Sequence, residues 1–339
     1  MSSVVAVDPS DRRSAEIQTA RKAWDKQGAR MPGLLDVILG YDCNLACDYC
    51  TITPTMRERA LAPKAVVAAM RRGRSQAYDR IAFTGGEPTI RTDLVALIKA
   101  ARQLGFEDIK VQSNGLLFSE ANVARLVNAG VTRFHISIHT HDATAYDALV
   151  QRDGAYALME QGLRNVVASG RHVVVDVIIK TDTYRRLPDA IEWIAARGVE
   201  EVHLWYVSLT DGNAARVESL PAMTTTMPFV RRALAIGRER GLQISSLHIP
   251  RCLLGEDWTH AWDPGSMRVL VVTPDATFEL EDSRLAGRNH VPACAGCQFE
   301  AICPGVRDDY LQRFGDTEIA TARGQAPTIP GVVRLPIRP

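Results

Sequence analysis

The chain has 339 residues, of which 46% are hydrophobic and 23% charged, and its formal net charge is +1. That length supports one large domain or a main domain with a small appendage. The near-neutral balance provides no general attraction for nucleic acid or an anionic membrane surface. No apolar run approaches the roughly 20 residues of a membrane-spanning helix. Residues 1–30 are polar and lack the apolar centre of a secretion signal, so a cytoplasmic location is expected.

In chain order, short β-rich runs alternate with amphipathic helical patterns. Residues 34–39 read as a first strand leading into a cysteine loop. A helix opened by Pro63 follows through 72, because proline is tolerated in the first turn. Strand 81–83 ends at Thr84-Gly85-Gly86-Glu87-Pro88, and a helix over 94–104 stops at Gly105. Strand 109–112 ends at Ser113-Asn114-Gly115, before a helix over 120–128. Strand 134–138 leads to His139, then helices near 142–149 and 156–169. A β-branched strand over 173–179, a helix over 188–197 and a strand over 202–207 complete six β–α units. Repeated units of this kind require a parallel sheet covered by helices. Six are fewer than a closed eight-fold barrel needs, so a partial barrel and an open doubly wound sheet both fit.

After residue 210 the pattern changes. A Thr/Met/Pro stretch over 221–228 precedes a helix over 229–240 and a strand over 244–249. Residues 268–273 and 277–280 read as two strands of a short hairpin. An amphipathic stretch over 306–314 precedes a Pro/Arg/Gly-rich tail. The expected organisation is an N-terminal extension (1–33), a main α/β domain (34–210), a smaller domain (211–320) and an extended tail (321–339).

The seven cysteines fall in two groups, Cys43/Cys47/Cys50 and Cys252/Cys294/Cys297/Cys303. Tight clusters in a reducing compartment indicate metal or iron–sulfur binding rather than disulfides. Three thiolates within eight residues are one short of the four that an ordinary [4Fe–4S] cluster takes, leaving one iron open to a small molecule. Zinc is the alternative, although a structural zinc site wants a fourth ligand and no histidine lies nearby in sequence.

The string from Gly40 to Cys50, with Tyr49 directly before the last cysteine, resembles the signature of the radical S-adenosylmethionine (radical SAM) superfamily. The resemblance extends over residues 34–207. It implies a partial (β/α)6 TIM-like barrel in which Cys43, Cys47 and Cys50 hold a [4Fe–4S] cluster whose open iron chelates SAM. One electron from the reduced cluster then releases a 5′-deoxyadenosyl radical that abstracts hydrogen from substrate. It further implies SAM contacts from Tyr49, Gly85, Gly86, Glu87, Ser113, Asn114, Ser137 and Arg152. Glu87 can accept a charge-assisted bond from the SAM ammonium, and the glycines let backbone approach the ligand. His139, just past a strand end, is the candidate catalytic side chain, with helix capping by Thr140 or Asp142 and solvated histidines as the alternative.

The second cysteine group resembles the shortened auxiliary-cluster (twitch) domain of SPASM-type relatives. Four thiolates match one fully ligated [4Fe–4S] cluster, with a four-cysteine zinc site as the alternative. No cobalamin-binding segment is evident, and the N-terminal stretch is too short for a winged-helix leader-binding module. The expected function is radical oxidation, cross-linking or rearrangement of a peptide or small metabolite, supplied with electrons by a flavodoxin or ferredoxin. A non-catalytic iron–sulfur or zinc protein and an RNA-modifying radical SAM enzyme are the rivals. Trp205, Tyr206, Trp258 and Trp262 could line an aromatic substrate pocket or simply pack in the core.

Overall fold

The computed structural model describes residues 31–263, 266–280, 289–300 and 302–325. Residues 1–30 and 326–339 of the expected extension and tail lie outside them.

Strands β1 (Gly33–Ile38), β2 (Arg80–Thr84), β3 (Asp108–Ser113), β4 (Arg133–Ser137), β5 (His172–Ile179) and β6 (Glu201–Tyr206) pair in parallel, each with the next. Between them stand α1 (Pro63–Ser75), α2 (Leu94–Gln103), α3 (Glu120–Ala129), α4 (Ala143–Val150), α5 (Ala155–Ala168) and α6 (Leu187–Ala195). Alternation along the strands sends Leu35, Val37, Phe83, Val111, Phe134 and Ile136 into the apolar layer beneath these helices, all essentially buried. The opposite faces carry polar side chains that meet one another: the Thr84 hydroxyl donates to Asp36 Oδ1 (2.9 Å) and the Trp205 indole to Asp176 Oδ1 (2.9 Å). This is the polar lining of a partial TIM-like barrel.

The sheet continues beyond the six expected units. Strand β7 (Gln243–Ser246) pairs in parallel with β6, and β8 (Arg268–Val272) returns to pair in parallel with β1. Strand β9 (Thr277–Glu279) is antiparallel to β8. Among the described residues the order is therefore β7-β6-β5-β4-β3-β2-β1-β8-β9. Residues after 210 thus supply three strands to the sheet begun at Gly33.

Helix α7 spans Met223–Arg240, starting earlier than expected, with Pro228 inside it. The buried positions Met223, Met227, Val230 and Leu234 form one apolar stripe, and burial of that stripe outweighs the backbone bond that proline cannot donate. Tyr310 fixes the helix entrance by donating its hydroxyl proton toward Glu318 while accepting from the Met223 amide (2.7 Å). The short α8 (Arg251–Leu254) carries Cys252, and α9 (Asp308–Phe314) and α10 (Thr317–Gln325) follow the last cysteines. Residues 321–325 are therefore helical, where an extended tail was expected.

Candidate active site and second cysteine cavity

The loop after β1 brings Cys43, Cys47 and Cys50 together. Its shape is set by hydrogen bonds from distant parts of the chain. Asp48 N donates to Leu149 O (3.0 Å), and the Arg57 guanidinium donates to Cys43 O (3.1 Å) and Leu45 O (2.7 Å). Burial pushes the Cys47 thiol up to about 12, with Cys50 and Cys43 adding to the shift. Three half-buried thiols form a donor set that a positively charged iron site would deprotonate, so these residues fit the implied cluster.

Gly85 and Gly86 are required by packing against that loop. A Cβ at Gly85 would lie 2.3 Å from Gly40 O, and one at Gly86 2.1 Å from Asp42 O. Gly86 N donates to Gly40 O and Glu87 N to Asp42 O, both at 2.9 Å. The close approach expected for a ligand is thus made, in this structure, to the backbone of the cysteine loop.

Glu87 is 2% exposed. Its Oε1 accepts from the Thr89 amide (3.0 Å), the Thr89 hydroxyl (2.5 Å) and the Ser113 hydroxyl (2.9 Å), while Oε2 accepts from the Asn114 amide (2.8 Å). Burial raises its pKa, and the donors from Thr89, Asn114 and Ser113 work against that rise. The carboxylate therefore organises the ends of β2 and β3 through four internal donors. Asn114 passes this order on, its side-chain amide donating to Asn44 Oδ1 (2.7 Å) beside Cys43. The Arg152 guanidinium reaches the Asn44 carbonyl at 3.4 Å. Ser137 ends β4, paired with Asp176 of β5. Of the residues singled out in the sequence, Gly85, Gly86, Glu87, Asn114 and Arg152 thus bond or pack against residues 40–44 of this loop. A cleft beside it is bordered by Gly40, Asp42, Thr84, Glu87 and Arg91.

His139 is neither solvated nor part of a cap. It is 5% exposed, and its Nδ1 accepts from the Ile178 amide (3.1 Å), which leaves Nε2 to donate to the Tyr49 hydroxyl at 2.7 Å. Burial drives its pKa down to about 4, keeping the ring neutral. Its edge meets the Tyr49 ring, with centroids 4.7 Å apart. His139 accordingly positions Tyr49 within the cysteine loop. Asp142 provides the cap instead, accepting from the Ala145 amide at 2.7 Å.

Sequence reasoning missed Lys180, Asp48, Arg57 and Gly212. Lys180, just past β5, places its ammonium 2.8 Å from Asp48 Oδ2 within the loop. Gly212 N donates to Thr51 O at 2.8 Å, and a Cβ there would come within 3.1 Å of the Cys50 carbonyl. An unusually buried lysine was the one available signal for this set, and burial is not written in a single sequence.

The four aromatic residues do not form one pocket. Adjacent residues on a strand point to opposite faces. Trp205 turns inward against His248, and Tyr206 turns outward to Thr226 and Tyr310. Trp258 packs on Phe299 near the second cysteine group, and Trp262 N donates to Ser246 O.

Cys252, Cys294, Cys297 and Cys303 line one pocket, together with Pro250 and His290. Burial and the other three thiols push Cys252 up to about 12. Buried Arg251 ties the two contributing segments together, donating to Ile302 O (2.9 Å) and Trp258 O (2.8 Å).

Among the described residues, no helix is long and apolar enough to cross a membrane. Residues 37–194 match the profile of the Radical SAM superfamily. Two similar proteins are the probable GTP 3′,8-cyclases of Sulfurisphaera tokodaii (25% identical) and Saccharolobus solfataricus (27% identical). Each match runs over 172 residues and takes in 50% of this chain, with 54% and 55% of the respective relative. The chain thus spans about half the length of the curated relatives it matches. Among solved structures, Streptococcus suis SuiB bound to S-adenosylmethionine superposes with a TM-score of 0.63 at 13% identity, covering 92% of this chain and 81% of SuiB. SuiB bound to precursor peptide SuiA gives 0.64 at 12% identity, covering 92% and 80%. These likenesses establish a shared fold, and with the profile match they lead to one conclusion: the chain carries a radical SAM superfamily domain at residues 37–194.

Proposed function

We propose that this protein is a radical SAM enzyme that acts on a peptide or small metabolite and carries one additional [4Fe–4S] cluster. The observation behind it is the convergence of Cys43, Cys47, Cys50, Asn44, Asn114, Arg152 and the Glu87 network on one loop at the C-terminal ends of parallel strands. When bound and reduced, a cluster with an open iron supplies the electron that splits SAM into methionine and a 5′-deoxyadenosyl radical, which takes a hydrogen atom from substrate. The protein's part is to hold three thiolates in register, fix Tyr49 through His139, and keep the loop against β2 and β3. Ser137 and Arg152 are assigned to the SAM ribose or carboxylate.

The second cysteine group, four thiolates lining one pocket, is assigned one fully ligated [4Fe–4S] cluster, with a four-cysteine zinc site as the alternative. With all four protein ligands engaged, this cluster would relay electrons or support structure, and an external flavodoxin or ferredoxin would act as reductant.

A second reading, hydrogen abstraction from GTP, is favoured by the names of the relatives. Arg57, Arg91 and Lys180 are engaged by backbone carbonyls, Asp93, and Asp48 with Asp182, which leaves exposed Arg152, held only to the Asn44 carbonyl at 3.4 Å, as the cation for a triphosphate under that reading. Anaerobically reconstituted protein should release 5′-deoxyadenosine from SAM when given reductant. Cys43→Ala should abolish this, and Cys294→Ala should lower iron and sulfide by about half. No 5′-deoxyadenosine from cluster-replete protein would sink the proposal, and stimulation by GTP with a cyclised nucleotide product would establish the second reading.

A further inference from the structure

Below the SAM-facing strand ends, three adjacent strands point His135 (β4), Asp176 (β5) and His203 (β6) at one another. Their donor atoms all lie within 4.8 Å of one another. His135 Nδ1 is 3.5 Å from Asp176 Oδ2, and His203 Nδ1 is 3.5 Å from Asp176 Oδ1. His135 and Asp176 are 5% and 4% exposed.

A separation of 3.5 Å is too long for a good hydrogen bond. For His135 Nδ1 and Asp176 Oδ2 it is close to the roughly 3.3 Å expected between two ligands of one tetrahedral ion with metal–nitrogen and metal–oxygen bonds near 2.0–2.1 Å. Asp176 Oδ2 has no hydrogen-bond partner although it is buried, an expensive condition for a carboxylate oxygen. Its other oxygen is held by the Trp205 indole at 2.9 Å. His203 Nε2 bonds Glu201 Oε1 at 2.8 Å, which leaves Nδ1 facing Asp176. A carboxylate behind a histidine in this way is the usual support of a metal-bound imidazole.

We propose that His135, Asp176 and His203 form a binding site for one divalent first-row cation, zinc-like in its preference for two imidazoles and a carboxylate. Asp176 and Glu201 supply favourable charge, and Lys110, which faces His135, opposes it. Small rotations of the two imidazoles close the triangle onto an ion. Three protein ligands leave one position for water or a substrate atom, the pattern of a reactive rather than purely structural site. The site would also clamp β4, β5 and β6 below the cysteine loop. This inference stands apart from the radical chemistry.

The probe is Zn²⁺, added to the full chain with both cysteine sites already loaded with iron and sulfide, followed by gel filtration. About one zinc per chain should remain, with an X-ray absorption shell of nitrogen and oxygen near 2.0–2.1 Å. Asp176→Asn and His203→Gln should each lower retained zinc at least tenfold without changing iron or sulfide. Failure to retain zinc overturns the proposal and leaves a His203–Asp176 ion pair. A sulfur shell near 2.3 Å overturns it too, since the zinc would then sit in a cysteine site. If either variant misfolds, the absorption spectrum of the wild-type protein decides alone.

Discussion

The Lys180 ammonium lies 2.8 Å from Asp48 Oδ2, joining the end of β5 to the residue between Cys47 and Tyr49. The lysine side chain is 5% exposed and that of Asp48 21%, so this contact is largely shielded from water, whereas the second partner, Asp182, is 58% exposed and adds little. Lys180→Met would leave the half-buried Asp48 carboxylate without its cation. The expected cost is about 3 kcal/mol, the lower end for breaking a buried pair. Denaturant unfolding should show that loss, and iron should leave the first cysteine loop faster in the presence of a chelator.

Glu87 tests a different kind of order. Glu87→Gln keeps the shape but presents an NH2 group to donors that need an acceptor, at a cost of about 1–3 kcal/mol. Since Asn114 depends on this carboxylate and holds Asn44, SAM binding measured by calorimetry should weaken together with thermal stability. Unchanged affinity in the variant would separate the network from the cofactor site.

Gly86→Ala should be more damaging than any surface substitution nearby. Its Cβ would meet Asp42 O at 2.1 Å and Tyr41 O at 2.5 Å, both backbone atoms that cannot rotate away. Overpacking of this kind costs about 1–3 kcal/mol or more. The expected outcome is a lowered melting temperature and loss of the first cluster on reconstitution, with the second cysteine site still loading iron.

His139 gives the protein an acid-sensitive element. Its folded-state pKa lies near 4, against 6.5 for an ordinary histidine, because burial disfavours the imidazolium. The unfolded chain therefore takes up the proton first as pH falls. The contribution is complete above pH 6.5 and is lost progressively toward pH 4, by on the order of 3 kcal/mol. Urea midpoints measured from pH 7 to 4.5 should fall, and His139→Gln should flatten that fall while disturbing the Tyr49 environment.

The βα order was legible because each strand–helix pair is local: apolar periodicity, Gly105, Gly130 and Pro63 mark the ends without reference to distant residues. The extension of helix α7 back to Met223 was hidden by Pro228, since only the buried Met223–Leu234 stripe shows that packing prevails. The role of His139 was equally hidden, because its partners Tyr49 and Ile178 lie 90 and 39 positions away.

By itself the sequence determined the alternating α/β pattern and the two cysteine groups, since apolar periodicity and thiolate spacing are written in consecutive positions. Only the tertiary structure decided that β8 returns beside β1 and that Gly85 and Gly86 make room for the cysteine loop. It alone turned His135, Asp176 and His203 toward a common point. Those relations depend on parallel register and on which face of each strand turns inward, quantities fixed by the packing of the whole sheet.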